Sequence, residues 1–187
     1  MNPVPHIILP LSTELQQQVV EQTHAYIKQA TQLFSIKNTP VEISFNLKGQ
    51  SAGMYRVSGK IYRQKREIRY NSHIFSKYFD DNFKITIPHE VAHYISDIVY
   101  GLKNIKPHGK EWKEIMQAFG ADPKVTADYD LSGIPLKNKI LYDYQCSCRE
   151  HQLGSIRHNR IRKKRTQYYC NYCKQLLRFK QQAITTA

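Results

Sequence analysis

The stretch Lys84-Ile-Thr-Ile-Pro-His-Glu-Val-Ala-His-Tyr-Ile-Ser-Asp-Ile-Val-Tyr-Gly101 decides how this chain is read. His89 and His93 are four residues apart, which on an α-helix stacks them on one face. Two imidazole nitrogens can then reach a single ion. Glu90 is rotated off that direction but stays within reach of a water beside the ion. Zinc sites that carry out hydrolysis keep three protein ligands and one open position. The ion brings the pKa of water toward about 7, while a carboxylate takes the proton and later passes it to the leaving amine. His-Glu-x-x-His is the minimal spacing that supplies two ligands and that base. Because a five-residue pattern can arise by chance, its surroundings decide. Ile87, Val91, Ala92, Ile95 and Ile98 can bury one side of the helix, which weighs against two ordinary helix histidines beside a surface glutamate. Helical periodicity runs from Asp80 to Tyr100, with Gly101 as the stop signal. Pro88 predicts a helix start near it or a kink, since proline is comfortable only in a first turn.

Three residues compete for the third ligand position: His108, Glu111 and Glu114. His108 opens the next predicted helix, His108 to Phe119, where a reversed chain can return to the ion. The two glutamates lie one and two turns further on, and carboxylates are acceptable to zinc. Asp97, one turn after His93, reads as a supporting or surface group rather than a ligand.

Upstream, Ser12 to Ile36 predicts a helix capped by Ser12 or Thr13, with Leu15, Val19, Ala25, Tyr26, Ala30 and Leu33 at roughly helical spacing. Pro40 stops it. Val41, Ile43, Phe45 and Leu47 alternate on one face of a half-buried strand, and Met54–Ile61 and Glu67–Asn71 predict two more. A short antiparallel sheet with helices before and after it is an α+β arrangement. Residues 121–140 read as a linker, which places a boundary near residue 137 and divides the chain into 1–136 and 137–187.

All four cysteines fall in the second part. Cys146-x-Cys148 and Cys170-x-x-Cys173 can close a tetrahedral site at the tips of two hairpins, as in a zinc ribbon. The first pair is one residue short of the usual knuckle, and Cys148-x-x-His151 supplies the missing spacing. His151 therefore stays open as a replacement for one cysteine. The charge is concentrated in this part as well. The chain carries a net +13, and residues 137–187 alone hold 12 Lys/Arg against two Asp/Glu. A field of that sign favours a polyanion, with nucleic acid the common one. Arg157, Arg160, Arg162, Lys163, Lys164 and Arg165 are the candidate phosphate contacts, with Tyr168 and Tyr169 able to stack on bases. No recognition helix is evident, so little sequence preference is expected. The bland alternative is a basic hairpin that merely covers the ribbon.

At 187 residues the chain has room for one ordinary domain and an appendage. No apolar run reaches 18 residues, so no membrane partner is expected. Met1 to Pro10 lacks the charge pattern and cleavage site of a signal peptide. A cytoplasmic location follows as an expectation, and in a reducing compartment four cysteines suggest metal before disulfides.

His89-Glu-Val-Ala-His93 followed by Pro107-His108-Gly109-Lys110-Glu111-Trp112 resembles the SprT family of bacterial metallopeptidases, relatives of the eukaryotic Spartan proteases. The resemblance extends to Ser51-Ala52-Gly53, Tyr144-Gln-Cys-Ser-Cys148, His151, Arg157-His-Asn-Arg160 and Tyr169-Cys170-Asn-Tyr-Cys173, from about residue 12 to residue 180. It implies a zincin-like metallopeptidase domain followed by a zinc-ribbon-like one. His108 would be the third ligand, Glu90 the catalytic glutamate and the four cysteines the holders of a second, structural zinc. It further implies cleavage of proteins bound or crosslinked to DNA. Two alternatives compete with this reading: a nucleic-acid-binding zinc protein whose peptidase centre is vestigial or regulatory, and the same zinc centre acting on a small-molecule amide.

Overall fold

The computed structural model describes residues 7–37, 39–123, 128–136 and 140–182. The chain divides into two compact units, Met1–Leu136 and Lys137–Ala187. Parts of the expected linker, residues 124–127 and 137–139, lie outside the described residues.

The first unit contains α1 (Thr13–Leu33), β1 (Glu42–Ser44), β2 (Gly53–Ser58), β3 (Lys65–Tyr70), α2 (Ser72–Lys77), α3 (Phe79–Tyr100) and α4 (Lys110–Ala118). It is a mixed α+β unit. Ser12 caps α1, its side chain accepting from the Leu15 N–H at 3.4 Å. The buried face of α1 is Val19, Thr23, Ile27 and Ala30. Leu33, expected on that face, is 53% exposed. Thr23 sits in the apolar face without cost because its hydroxyl donates to the Val19 carbonyl at 2.7 Å and lies 2.9 Å from the Tyr70 hydroxyl.

The sheet runs β1-β3-β2, with β2 antiparallel to β3 but β1 parallel to it. The expectation of an all-antiparallel sheet is thereby corrected. The 41–47 alternation is real: Val41, Ile43 and Phe45 pack on the core and Leu47 is buried. Only Glu42–Ser44 pairs in the ladder, however. Alternation specifies which face is buried, not which neighbour is chosen.

α3 begins nine residues before Pro88 and continues through it. Proline removes the amide that Lys84 would otherwise receive, and its ring crowds the Lys84 carbonyl. Ile87, Val91, Ala92 and Ile95 are fully buried beside Trp112, Ile115 and Met116 of α4 and Ile68 and Tyr70 of β3. Each such aliphatic side chain contributes about 1.5–3 kcal/mol by leaving water. The helix carrying the two histidines is thus half buried, its inner face sealed in the core. The short helix α2 was not foreseen. Asn71 caps it, its side chain accepting from the N–H groups of His73 and Ile74.

The second unit is a three-stranded antiparallel sheet in the order β5-β4-β6, built from β4 (Leu141–Gln145), β5 (Glu150–Gly154) and β6 (Arg178–Gln182). Between β5 and β6 lies α5 (Ser155–Arg162), a helix not foreseen from the sequence. Among the described residues no helix is long and apolar enough to cross a membrane.

Candidate metal centres and basic surface

α3 brings His89 and His93 to one face, and the turn after it returns His108 to them. Lys106–Gly109 closes that turn through a 2.9 Å bond from the Gly109 N–H to the Lys106 carbonyl. His108 adopts φ 56°, a left-handed conformation costing a non-glycine residue about 1–2 kcal/mol. A side chain at Gly109 would meet the Lys106 carbonyl at 2.9 Å. The local strain aims the His108 ring, and Trp112, one turn into α4, fixes it in place. The Trp112 ring centroid lies 4.8 Å from those of His89 and His108, and its indole N–H donates to the His89 carbonyl at 3.2 Å.

The three Nε2 atoms form a near-equilateral triangle with sides of 3.2, 3.0 and 3.0 Å. Zinc bound tetrahedrally at about 2.0–2.1 Å separates its nitrogens by about 3.3 Å, so the triangle fits such an ion. Burial, followed by the neighbouring His89 and His108, pushes the His93 imidazole down to about 3. Burial also lowers His108. Both therefore favour the neutral, lone-pair form that binds metals. Glu111 and Glu114 are not part of this group. Glu114 instead faces Lys110 at 3.6 Å. The structure therefore brings together the histidines and leaves out both competing carboxylates.

Glu90 is only 5% exposed. Burial pushes its carboxyl up to about 8, and a hydrogen bond from the Tyr55 main-chain N–H works the other way. A divalent cation nearby would favour the carboxylate again. Strand β2 passes so close that a Cβ on Gly53 would lie 2.6 Å from Glu90 Cγ and Oε1. Only glycine permits that approach. Asp97 is not at the surface and is not part of the three-histidine group. It is buried, and its Oδ2 accepts from the Tyr55 hydroxyl at 2.7 Å and Arg66 Nε at 2.8 Å. The parts of Tyr55 and Trp112 were missed from sequence. The only available signal was Trp112 at four residues from His108.

In the second unit the four cysteine sulfurs lie within 4.8 Å of one another. Cys146 and Cys148 are 3.4 Å apart, and Cys148 and Cys170 are 3.7 Å apart. Zinc–sulfur bonds of about 2.3 Å in a tetrahedron give about 3.8 Å, so this donor set also fits the ion. Main-chain amides draw the thiols of Cys170 and Cys173 down, Cys173 to about 6. Hydrogen bonding by Cys146 and Cys173 pushes Cys148 up to about 11. Thiols crowded this closely cannot all ionise without a cation among them. His151 Nε2 lies 3.2 Å from Cys146 Sγ but outside the four-sulfur group.

Arg157, Arg160, Arg162, Lys163, Lys164 and Arg165 are all exposed, on α5 and the turn after it. Beside them is a cleft of about 390 Å³ lined by Tyr142, Tyr144, His158, Ile161, Arg162 and Phe179. His158 stacks on Tyr142 with centroids 3.6 Å apart. On the knuckles, Tyr172 is 72% exposed with the Arg149 guanidinium 3.5 Å over its ring.

The fold and these sites define a mixed α+β protein with a three-histidine group on a buried helix and a four-cysteine group in a small basic unit. Residues 17–130 match the SprT-like family, and the chain belongs to it. It is 34% identical to Protein SprT of Vibrio parahaemolyticus over 154 residues, covering 82% of this chain and 87% of that one. Protein SprT of Actinobacillus succinogenes is 30% identical over 161 residues, covering 86% and 88%. Protein SprT of Pasteurella multocida is 35% identical over 133 residues, covering 71% and 74%. No solved structure matches the chain.

Proposed function

We propose that the chain is a zinc-dependent metalloendopeptidase of zincin-like build, directed by its basic zinc ribbon to proteins on nucleic acid. The observation carrying this reading is the convergence of the His89, His93 and His108 nitrogens, with the buried carboxyl of Glu90 on the same helix as two of them. Zinc held there supplies a Lewis acid and an acidified water. Glu90 removes a proton from the attacking water as its oxygen bonds to the scissile carbonyl carbon. The same carboxyl then delivers that proton to the amide nitrogen as the C–N bond breaks. Gly53 and the Tyr55 N–H hold Glu90 where it can make both transfers. The second zinc, on Cys146, Cys148, Cys170 and Cys173, is structural. The exposed arginines and lysines of the second unit neutralise phosphates, while its aromatic cleft and knuckle tyrosines suit unpaired bases.

The test is cleavage of an unfolded DNA-binding protein by the zinc-loaded chain, with and without a single-stranded oligonucleotide. Cleavage is expected to require zinc, to stop with a chelator and to rise when the oligonucleotide carries both proteins. With six phosphates neutralised, affinity for the single strand should fall by roughly two and a half orders of magnitude between 50 and 200 mM salt. Salt-dependent binding without cleavage would instead favour a nucleic-acid-binding protein with an idle centre.

A further inference from the structure

Strand β2 packs on α3 through Gly53, which abuts Thr86 and Glu90, and through Tyr55, which supplies the polar contacts between strand and helix. Tyr55, two residues on from the Gly53 that abuts Glu90, presents its main-chain N–H to that carboxyl and favours its charged form. Its hydroxyl donates to Asp97 Oδ2 at 2.7 Å. Glu90 and Asp97 are seven residues apart on α3, two turns along the same face. The Tyr55 ring also meets Tyr94 edge-on at 6.0 Å, so it lies against the helix between the two contacts. Arg66 of β3, whose residue partner across the ladder is Val57, donates to the same Asp97 oxygen at 2.8 Å.

This is a costly way to hold a strand on a helix. Asp97 is 6% exposed, and a carboxylate taken out of water is strongly destabilising unless it is fully bonded. An apolar pair would supply adhesion as well. Adhesion alone would not fix where along α3 the Tyr55 amide sits, whereas a directed O–H···O bond does. The amide in turn decides where the base carboxyl points, in a gap so tight that Gly53 admits no side chain.

We infer that Asp97 is a positioning residue for Glu90, acting through Tyr55, with Arg66 holding Asp97 in place. The inference rests on Glu90 being the general base, and its test separates the two. Tyr55→Phe removes one hydroxyl and leaves the ring packing. In the full, zinc-loaded chain it should lower kcat about tenfold with KM and zinc content little changed, while the melting temperature falls modestly because buried Asp97 loses one of its donors. Independently of activity, amide hydrogen exchange should show residue 55 losing protection about tenfold while the amides of β3 keep theirs. Asp97→Asn, which keeps an oxygen acceptor, should retain more activity and more protection at residue 55 than Asp97→Ala. Unchanged protection at residue 55, a loss spread evenly over β2 and β3, or a kcat within about twofold of wild type would each overturn the inference. Should the wild type prove inactive on every peptide, the peptidase reading fails, and the exchange result alone decides whether Asp97 positions residue 55.

Discussion

Glu90→Gln should reduce peptide hydrolysis by roughly 10²–10⁴-fold, the usual contribution of a positioned acid–base group, without loss of zinc. The substitution is nearly isosteric, and the amide oxygen can still accept from the Tyr55 N–H that bonds the carboxyl now. It removes only the ability to take up and return a proton. The site is almost fully enclosed, so a neutral amide is no harder to bury there than a carboxylate, and the melting temperature should stay level or rise. KM should be unchanged, since Glu90 does its work on the water and the departing amine rather than in holding the peptide. Steady-state kinetics with metal content measured on the same sample check all three points. Activity within tenfold of wild type, with zinc bound, would remove Glu90 from its assigned role.

Cys170→Ser should unfold the second unit and leave the first intact. The buried core of that unit is Tyr144, Leu153, Cys170 and Leu177, and Cys170 is itself one of the four. So small a core cannot hold a segment of about 50 residues unaided. A structural zinc contributes about 10–16 kcal/mol of apparent binding free energy to folding in small zinc domains. Serine replaces a strong thiolate donor with a hydroxyl that does not ionise near neutrality. Limited proteolysis should then cut within 140–182 while residues 7–123 stay resistant, and nucleic-acid binding should disappear. The first unit has its own core, from Leu11 to Phe119, and needs nothing from this metal. A variant that loses its metal yet keeps native protection in β4 and β5 would contradict the assignment.

Local patterns made half of the first site legible. Histidines four apart and an adjacent glutamate are a one-helix statement, and helix geometry converts their spacing directly into position. The third ligand required the turn at 106–109, whose left-handed residue is a histidine rather than the glycine that would announce it. Sequence alone therefore left Glu111 and Glu114 in contention. The parallel pairing of β1 with β3 and the Tyr55–Asp97 bond join residues 25 and 42 positions apart, for which no periodicity speaks. Pro88 left a helix start or a kink open, and the helix runs through it, a missing amide being tolerated where Ile87, Val91 and Ile95 are fully buried on the inner face. Helix α5 carries almost no apolar pattern, and only His158 of it is buried, so nothing in Ser155–Arg162 distinguished it from a basic hairpin. The cysteine group was legible as chemistry but not as geometry. The short first pair works because Cys146 lies in a turn, its N–H bonded to the Arg149 carbonyl at 3.1 Å.

The most direct test of the central claim is the zinc content per chain, by elemental analysis, of the wild type and of His108→Ala. Two ions in the wild type and one in the variant are predicted, because two remaining histidines cannot hold zinc tightly while the four thiolates still can. One ion in both proteins would mean that only the cysteine group is metallated, and the metallopeptidase account would be wrong.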